Sequence, residues 1–307
     1  ICLNIKMDKK EIINLSKAER HLHGGLGCSF KFFQKLCNNN IPSPPSKFKN
    51  LEEMEYYIEK YLLPYFHSTD IFEEVIKQGI KEAINDGIII LEMSIDCNII
   101  DIYSNKEEGL INFLKNVIEE NKNKIDFRPE LGINKTNNVK KIYNSIINCI
   151  NTGIFKSIDL YGIEDVNTIK NFRPLYKYAK NKGLKLKAHA GEFCEAKTVI
   201  YTVDTLDLDE VQHGITVADS EDAIKYIKDK GLRLNICPTS NIALQRVKNI
   251  KVHPIRKLFD KGIKVTINTD DIMIFGQTLS DEYFNVYKAG LFSEEEIKLL
   301  INLSLKD

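Results

Sequence analysis

Residues 262–271 read Gly-Ile-Lys-Val-Thr-Ile-Asn-Thr-Asp-Asp, a short apolar stretch that ends in two adjacent acids. Val265 and Ile267 alternate with polar neighbours, which predicts a β-strand. Carboxylates at the end of a buried strand are costly unless a metal, a cation or a polar substrate faces them. Because successive side chains near a strand end point in different directions, Asp270 and Asp271 are expected to have different partners. Taken alone, such a pair more often belongs to a polar loop.

The rest of the chain repeats this strand pattern in alternation with helical patterns. Eight predicted strands begin near residues 18, 87, 125, 155, 184, 210, 232 and 263. Strands that alternate with helices indicate a parallel sheet, and eight such units predict a (β/α)8 TIM barrel with additional helices. No Pro-rich or Gly/Ser-rich linker interrupts the series, so residues 1–307 are predicted to form one domain.

Composition narrows the possible classes of function. Lys plus Arg and Asp plus Glu both number 43 among 307 residues, so the formal net charge is zero and favours neither nucleic acid nor an anionic membrane as a partner. Apolar runs such as residues 87–93 are too short to span a bilayer. Residues 1–7 lack the basic lead and cleavage site of a signal peptide. Seven cysteines without close pairing indicate reduced thiols in a cytoplasmic protein.

Histidines cluster where the predicted strands end. His21 and His23 close the first strand on one face, and His189 and His213 end the fifth and sixth. In barrels of this class the functional residues lie at the carboxyl ends of the strands. Three neutral imidazoles and one carboxylate suit a zinc-type ion with an open position for water. The candidate ligands are therefore His21, His23, His189 and Asp270.

Glu192, His213 and Asp271 remain as titratable groups near that predicted metal site. A bound metal lowers the pKa of its water, a nearby histidine can orient the water, and a glutamic acid can supply a proton to the electrophile. The other two histidines, His67 and His253, fall in loop or helical contexts and are predicted to be structural. The aromatic and aliphatic stripe of residues 51–63 is expected to pack on a core, with an apolar pocket wall as the alternative.

These motifs together resemble the adenosine deaminases of the metal-dependent amidohydrolase superfamily, over essentially the whole chain. The matching stretches are Lys17-Ala18-Glu19-Arg20-His21-Leu22-His23, His189-Ala190-Gly191-Glu192, His213-Gly214, Cys237-Pro238-Thr239-Ser240-Asn241, His253-Pro254 and Asn268-Thr269-Asp270-Asp271. Their order and spacing are far more specific than any one motif.

The resemblance implies a catalytic assignment around one Zn²⁺ per chain. The implied metal ligands are His21, His23, His189 and Asp270. Glu192 is implied to protonate purine N1 while a zinc-activated water attacks C6. His213 would position that water, and Asp270 would share in moving its proton. Asp271 would bind N7 and the Gly162 backbone N3, with ammonia and a 6-oxopurine as products.

The chain departs from the family pattern at the position that is implied to bind the ribose of the substrate. Gly25 occupies the position at which family members that act on adenosine usually carry Asp, and adenine deaminases usually carry Glu. Ile272 stands where family members commonly carry Pro, and residues 93–96 lack the Arg that is often found there in the family. The family's last helix would extend beyond Asp307.

Three hypotheses follow for a small-molecule purine partner. The favoured one is zinc-dependent deamination of adenosine or deoxyadenosine to inosine or deoxyinosine. The second is deamination of adenine or another modified aminopurine, and the third is a non-catalytic purine-binding paralogue. The complete set of predicted ligands and of acid and base residues argues against the third.

Overall fold

The computed structural model describes residues 7–38 and 41–307. Eight parallel strands follow one another around the sheet in chain order, each hydrogen-bonded to the next. The strands are β1 Lys17–His23, β2 Ile88–Asp96, β3 Asp126–Asn134, β4 Ser157–Tyr161, β5 Lys185–Ala190, β6 Glu210–His213, β7 Arg233–Ile236 and β8 Lys264–Ile267. This arrangement confirms the predicted (β/α)8 barrel.

The first and last strands close the barrel at the two strongest sequence motifs. Leu22 forms a parallel β-bridge with Asp270. The Asp270 N–H donates to the His21 carbonyl and the His23 N–H donates to the Asp270 carbonyl, both at 3.0 Å. Because β8 and β1 meet here, the histidine pair and the acidic pair are neighbours in space.

Fifteen α-helices, with short 3₁₀ turns, surround the strands of the described chain. They are α1 Lys9–Ile13, α2 Phe30–Leu36, α3 Leu51–Tyr61, α4 Thr69–Asn85, α5 Glu107–Asn121, α6 Val139–Asn151, α7 Val166–Ile169, α8 Arg173–Asn181, α9 Ala196–Leu206, α10 Glu221–Asp229, α11 Pro238–Ala243, α12 Ile255–Asp260, α13 Ile272–Phe275, α14 Leu279–Lys288 and α15 Glu294–Ser304. The sequence pattern of residues 166–182 predicts a single helix, but the structure divides this segment into α7, a 3₁₀ turn and α8. Pro174 lies in the first turn of α8, where its missing N–H costs nothing, so a new helix starts there.

The barrel wall separates an apolar outer layer from a polar interior, as β2 illustrates. Leu91, Met93 and Ile95 are fully buried members of the apolar core between strands and helices. The alternating residues are polar and meet partners from other strands: Glu92 pairs with Lys187 and the Ser94 hydroxyl donates to Asp159 at 3.2 Å. The twofold alternation of a strand therefore directs charged groups into the barrel.

None of the helices in the described ranges combines the length and the apolar character needed to cross a membrane. The six cysteines within those ranges are unpaired thiols. Cys2, the seventh, lies outside the described residues.

Candidate active site

A cavity of about 480 Å³ opens at the carboxyl ends of the strands. It is lined by nearly all the residues that the sequence motifs single out: His23, Gly25, Gly162, His189, Glu192, His213, Asp270 and Asp271. His21 is completely buried below the cavity floor, and its ring centroid lies 4.6 Å from that of His189. The structure thus brings the predicted site residues of β1, β4, β5, β6 and β8 together.

The four predicted metal ligands form one compact group. Ring nitrogens of His21, His23 and His189 lie within 4.8 Å of one another. Asp270 Oδ1 lies 3.2 Å from His21 Nε2 and 3.4 Å from His23 Nε2. Asp270 has a positive φ of 67°, a strained conformation for a residue other than glycine, and it directs this side chain to the histidines.

The donor group fits a divalent cation. Both ring nitrogens of His21, and Nε2 of His189, are buried without a hydrogen-bond partner of acceptable geometry. Buried polar atoms seldom stay unpaired, so these nitrogens indicate an external ligand. Burial alone would lower the pKa of His23, but Asp271 and Asp270 raise it to about 10. The acidic groups thus favour a positive charge at this position, and a nitrogen-rich donor set with one carboxylate is typical of zinc.

Cys237, which immediately follows β7, also approaches this group. Its sulfur lies within 4.8 Å of donor atoms of His21, His213 and Asp270. Burial, and then Asp270, raise the pKa of this thiol well above its ordinary value, so its sulfur is a poorer donor than a neutral imidazole. The sequence analysis assigned Cys237 no role at the site. Its position directly after a strand is the feature from which its proximity to the site could have been predicted.

Glu192 is held as a buried acid beside His213. Glu192 Oε1 accepts a hydrogen bond of 2.8 Å from Asn241 Nδ2, and Oε2 lies 3.5 Å from His213 Nε2. Burial, followed by repulsion from Asp270 and Glu164, raises the pKa of Glu192 well above its ordinary value. These surroundings favour the protonated carboxyl, which is the form that a proton donor requires.

Asn241 and His253 form the support behind Glu192. His253 Nε2 lies 3.3 Å from Asn241 Oδ1, and the ring is almost fully buried, which agrees with the structural role predicted for it. His67 differs, because it lines the cavity, at its exposed mouth. The sequence around Asn241 matched the family pattern, but only the fold shows that its amide contacts Glu192.

The two adjacent carboxylates have different surroundings, as predicted. Asp270 Oδ2 accepts a 2.6 Å hydrogen bond from Ser240 Oγ, and its Oδ1 faces the histidines. Asp271 Oδ1 is buried without a partner, and the residue lines the cavity. Burial, with repulsion from Asp270, raises the pKa of Asp271 to about 7. Asp271 is thus available to a ligand in the cavity.

Three polar residues of β2 and β4 extend the site beyond the residues predicted from sequence. Asp159 Oδ2 lies 3.4 Å from His189 Nε2. The Tyr161 ring packs edge-on against His23 at 5.3 Å between centroids, and its hydroxyl donates to Asp96. Asp96 and Tyr161 both line the cavity. Asp96 and Tyr161 are the last residues of their strands, as the position of the histidines would predict, whereas Asp159 lies in the middle of β4.

The remaining wall of the cavity is mostly apolar, although Glu55 and Glu59 of α3 also line it. It consists mainly of side chains from α3, α4 and the intervening segment: Leu51, Met54, Ile58, Leu63, Phe66 and Phe72. The stripe of residues 51–63 is therefore, in part, a pocket wall, which was the alternative to simple core packing.

Comparisons with known proteins agree with this geometry. The family model described as adenosine deaminase matches residues 38–306. A putative adenosine/adenine deaminase of Treponema pallidum is 33% identical over 285 residues, which cover 93% of this chain and 95% of that protein.

Solved structures share the fold at low sequence identity. A zinc-bound amidohydrolase from Burkholderia ambifaria has a TM-score of 0.82 at 17% identity, covering 99% of this chain and 89% of that one. The N6-methyl-AMP deaminase from Arabidopsis thaliana has a TM-score of 0.78 at 18% identity, covering 96% and 92%. With the family model matching most of its length, the chain belongs to the adenosine deaminase family of the amidohydrolase superfamily and is a deaminase-type hydrolase.

Proposed function

We propose that the protein catalyses zinc-dependent hydrolytic deamination of adenosine and deoxyadenosine to inosine and deoxyinosine, with release of ammonia. The observation that carries the proposal is the placement of Glu192, as a buried acid, on the same cavity as Asp271 and the histidine group. A module that only binds purines has no need of an acid held beside unpaired imidazoles.

The metal is proposed to bind to His21, His23, His189 and Asp270, whose donor atoms converge below the cavity. When bound, a zinc-type ion acts as a Lewis acid that lowers the pKa of water and so supplies a nucleophile at neutral pH. Asp159 Oδ2 lies 3.4 Å from the same His189 Nε2, so this carboxylate adds negative charge beside the proposed metal site.

Proton transfers are assigned to three residues. Glu192 would protonate N1 of the purine, which draws electron density away from C6 and makes that carbon more electrophilic. His213, 3.5 Å from Glu192, would orient the attacking water, and Asp270 would accept a proton from it. Asn241 holds the Glu192 carboxyl in place through its 2.8 Å hydrogen bond. Such positioned acids and bases contribute roughly 10²–10⁴-fold each to rate.

Two groups are proposed to recognise the ring edge. The unpartnered Oδ1 of Asp271 would bind at N7, since its carboxyl can keep a proton near neutral pH. The backbone of Gly162, with a φ of 89° at the end of β4, would meet N3. Buried polar groups that pair only with the correct ring strongly disfavour analogues that leave them unpaired.

The sugar side of the cavity supports an uncharged nucleoside. Gly25 leaves open space, since a Cβ there would meet no atom within 4 Å. The carboxylate of Asp96, with the Tyr161 hydroxyl, lines the same cavity and can bind sugar hydroxyls in place of the acid that Gly25 lacks. None of the cavity-lining residues in the described chain is lysine or arginine, so a nucleotide phosphate would find no strong cationic partner.

A second candidate is deamination of adenine or a modified aminopurine. It is favoured by Gly25, which removes a carboxylate from the usual sugar position, and by the apolar side chains Met54 and Ile58 of α3, which suit an uncharged substituent. The relative named as a putative adenosine/adenine deaminase is compatible with either substrate.

The test is an absorbance assay of zinc-loaded protein with adenosine, deoxyadenosine, adenine, N6-methyladenine and AMP, combined with metal analysis. Metal-stripped protein is the control. We expect one zinc per chain and the highest kcat/KM for adenosine or deoxyadenosine. Preference for a free base would support the second candidate instead, and preference for AMP would contradict the argument from the uncharged lining. Turnover of no aminopurine would overturn both.

A further inference from the structure

The backbone N–H groups of the loop after β5 converge on a single carboxylate. The N–H groups of the four consecutive residues 191–194 all donate to Glu164, at distances of 3.2, 3.1, 3.0 and 2.6 Å in chain order. Glu164 comes from the preceding loop, two residues beyond Gly162, and it is only partly exposed. A carboxylate that accepts this many backbone donors fixes the backbone strongly, because charge-assisted hydrogen bonds are about twice as strong as neutral ones.

The conformation of the loop is specific to this interaction. Gly191 has a φ of 81°, and a Cβ at that position would lie only 2.6 Å from Val199 Cγ2. Glycine is therefore required at 191, and it lets the chain curl so that successive N–H groups face one side. The geometry is that of an anion-binding loop whose anion is supplied by the protein itself.

A buried lysine completes the arrangement. Lys135 Nζ donates to the His189 carbonyl at 2.8 Å and lies 3.4 Å from the Gly162 carbonyl, so it links the ends of β4 and β5. Burial opposes ionisation of Glu164, but Lys135 and the donors of the loop lower its pKa below the ordinary value. Glu164 therefore stays charged.

Glu192, the proposed proton donor, is one of the residues whose backbone this loop holds. Its N–H donates to Glu164 at 3.1 Å, and its carbonyl accepts from Arg246 Nε at 3.0 Å. Both sides of its peptide backbone are thus anchored, and the side chain meets Asn241. Displacement of a reacting group by about 1 Å can cost on the order of 10²-fold in rate, so this anchoring has a direct catalytic consequence.

We propose that Glu164 is a positioning residue: it fixes the backbone of residues 191–194 so that Glu192 faces the substrate in line with the Gly162 backbone. The proposal rests on the proposed deaminase function. Glu164 also lines the cavity, and the role assigned to it is to act through the backbone of Glu192.

The first test is Glu164→Gln, which keeps the shape of the side chain but replaces one acceptor oxygen by an amide NH₂ that repels the loop donors. We expect kcat to fall by about 10²-fold with KM within a few-fold and zinc content unchanged. Glu164→Asp, which keeps the charge on a shorter side chain, should lose less. Glu82→Gln is the matched control, because Glu82 accepts from the Ser29 N–H and hydroxyl, at 2.7 Å each, in a different part of the fold. It should retain wild-type kcat.

A double-mutant cycle separates positioning from a general loss of structure. If Glu164 acts through Glu192, the loss caused by Glu164→Gln should nearly vanish in a Glu192→Gln background. An equal fold-loss in both backgrounds, or no loss in the wild-type background, would overturn the proposal.

Hydrogen exchange gives a readout that does not depend on turnover. Amides 191–194 should exchange faster in Glu164→Gln than in wild type or in Glu82→Gln, and unchanged protection would refute the role of Glu164. If wild-type protein deaminates no substrate but the amides lose protection in the variant, the deaminase function fails while the anchoring of the loop stands.

Discussion

The two ends of the barrel interior both carry buried ionisable groups, but they satisfy them in opposite ways. At the amino-terminal end, Lys187 on β5 contacts Glu92, Glu130 at 2.5 Å and Glu210 at 3.6 Å. At the carboxyl end, two residues further along β5, Nε2 of the buried His189 has no hydrogen-bond partner. One end neutralises its charges internally, and the other leaves donor atoms for something else to bind.

This difference separates stability from function. The amino-terminal cluster is closed further by Arg20, which pairs with Glu92 and donates through Nε to the Ser304 carbonyl at 2.9 Å. Burial alone would lower the pKa of Lys187, but the three surrounding carboxylates raise it above its ordinary value, so the ammonium group stays protonated. Paired buried charges are costly to separate and have little to offer a ligand, although Glu130 Oε2 in this cluster has no hydrogen-bond partner. Buried donors without partners gain most from a metal or a substrate.

Replacement of Glu192 by Gln should have the largest effect on activity. The amide keeps the size of the side chain but cannot donate the proton to N1, so kcat should fall by roughly 10²–10⁴-fold. Zinc content and the melting temperature should stay close to wild type, because Glu192 is not among the proposed ligands. Activity within a few-fold of wild type would show that the acid role is assigned to the wrong residue.

Replacement of Lys187 by Met should affect the amino-terminal end of the barrel, and it should lower stability rather than activity. It leaves three buried carboxylates without their shared cation, which should cost about 3–5 kcal/mol of unfolding free energy. Denaturant melts measure this loss, and kcat per folded molecule should remain near wild type. Lys180→Met is the matched control, since Lys180 pairs with Asp207 on the exposed surface and its loss should change stability little. A kcat that falls in parallel with stability would contradict the separation of the two ends.

Replacement of Gly25 by Asp should produce the smallest change, and it tests whether this position at the carboxyl end of the barrel faces the sugar of the substrate. The new carboxylate fits without a clash and would bind sugar hydroxyls, so the ratio of kcat/KM for adenosine over adenine should rise by about tenfold. Gly25→Ala fills the same space without charge and is the control. An unchanged ratio in the Asp variant would place sugar recognition elsewhere, with Asp96 as the next residue to test.

Periodic apolar patterns predicted the barrel well because its strands alternate regularly with helices along the chain. The error at residues 166–182 arose because the apolar spacing continues through Pro174, whereas the missing N–H of proline ends one helix and begins another. The sequence did not predict that His67 lines the cavity, because this position depends on how α3 and α4 pack and not on neighbouring residues.

The sequence by itself determined the order of the strands and the residue types at their ends, and therefore which metal ligands, acids and bases are available there. This is so because strand periodicity and donor type are local properties. Only the tertiary structure decided which groups meet. Closure of β8 on β1 places Asp270 beside His21 and His23. The contact of Asn241 with Glu192 and the convergence of residues 191–194 on Glu164 likewise depend on loops from different strands. Such contacts join residues far apart in the chain, and no local pattern encodes their distances.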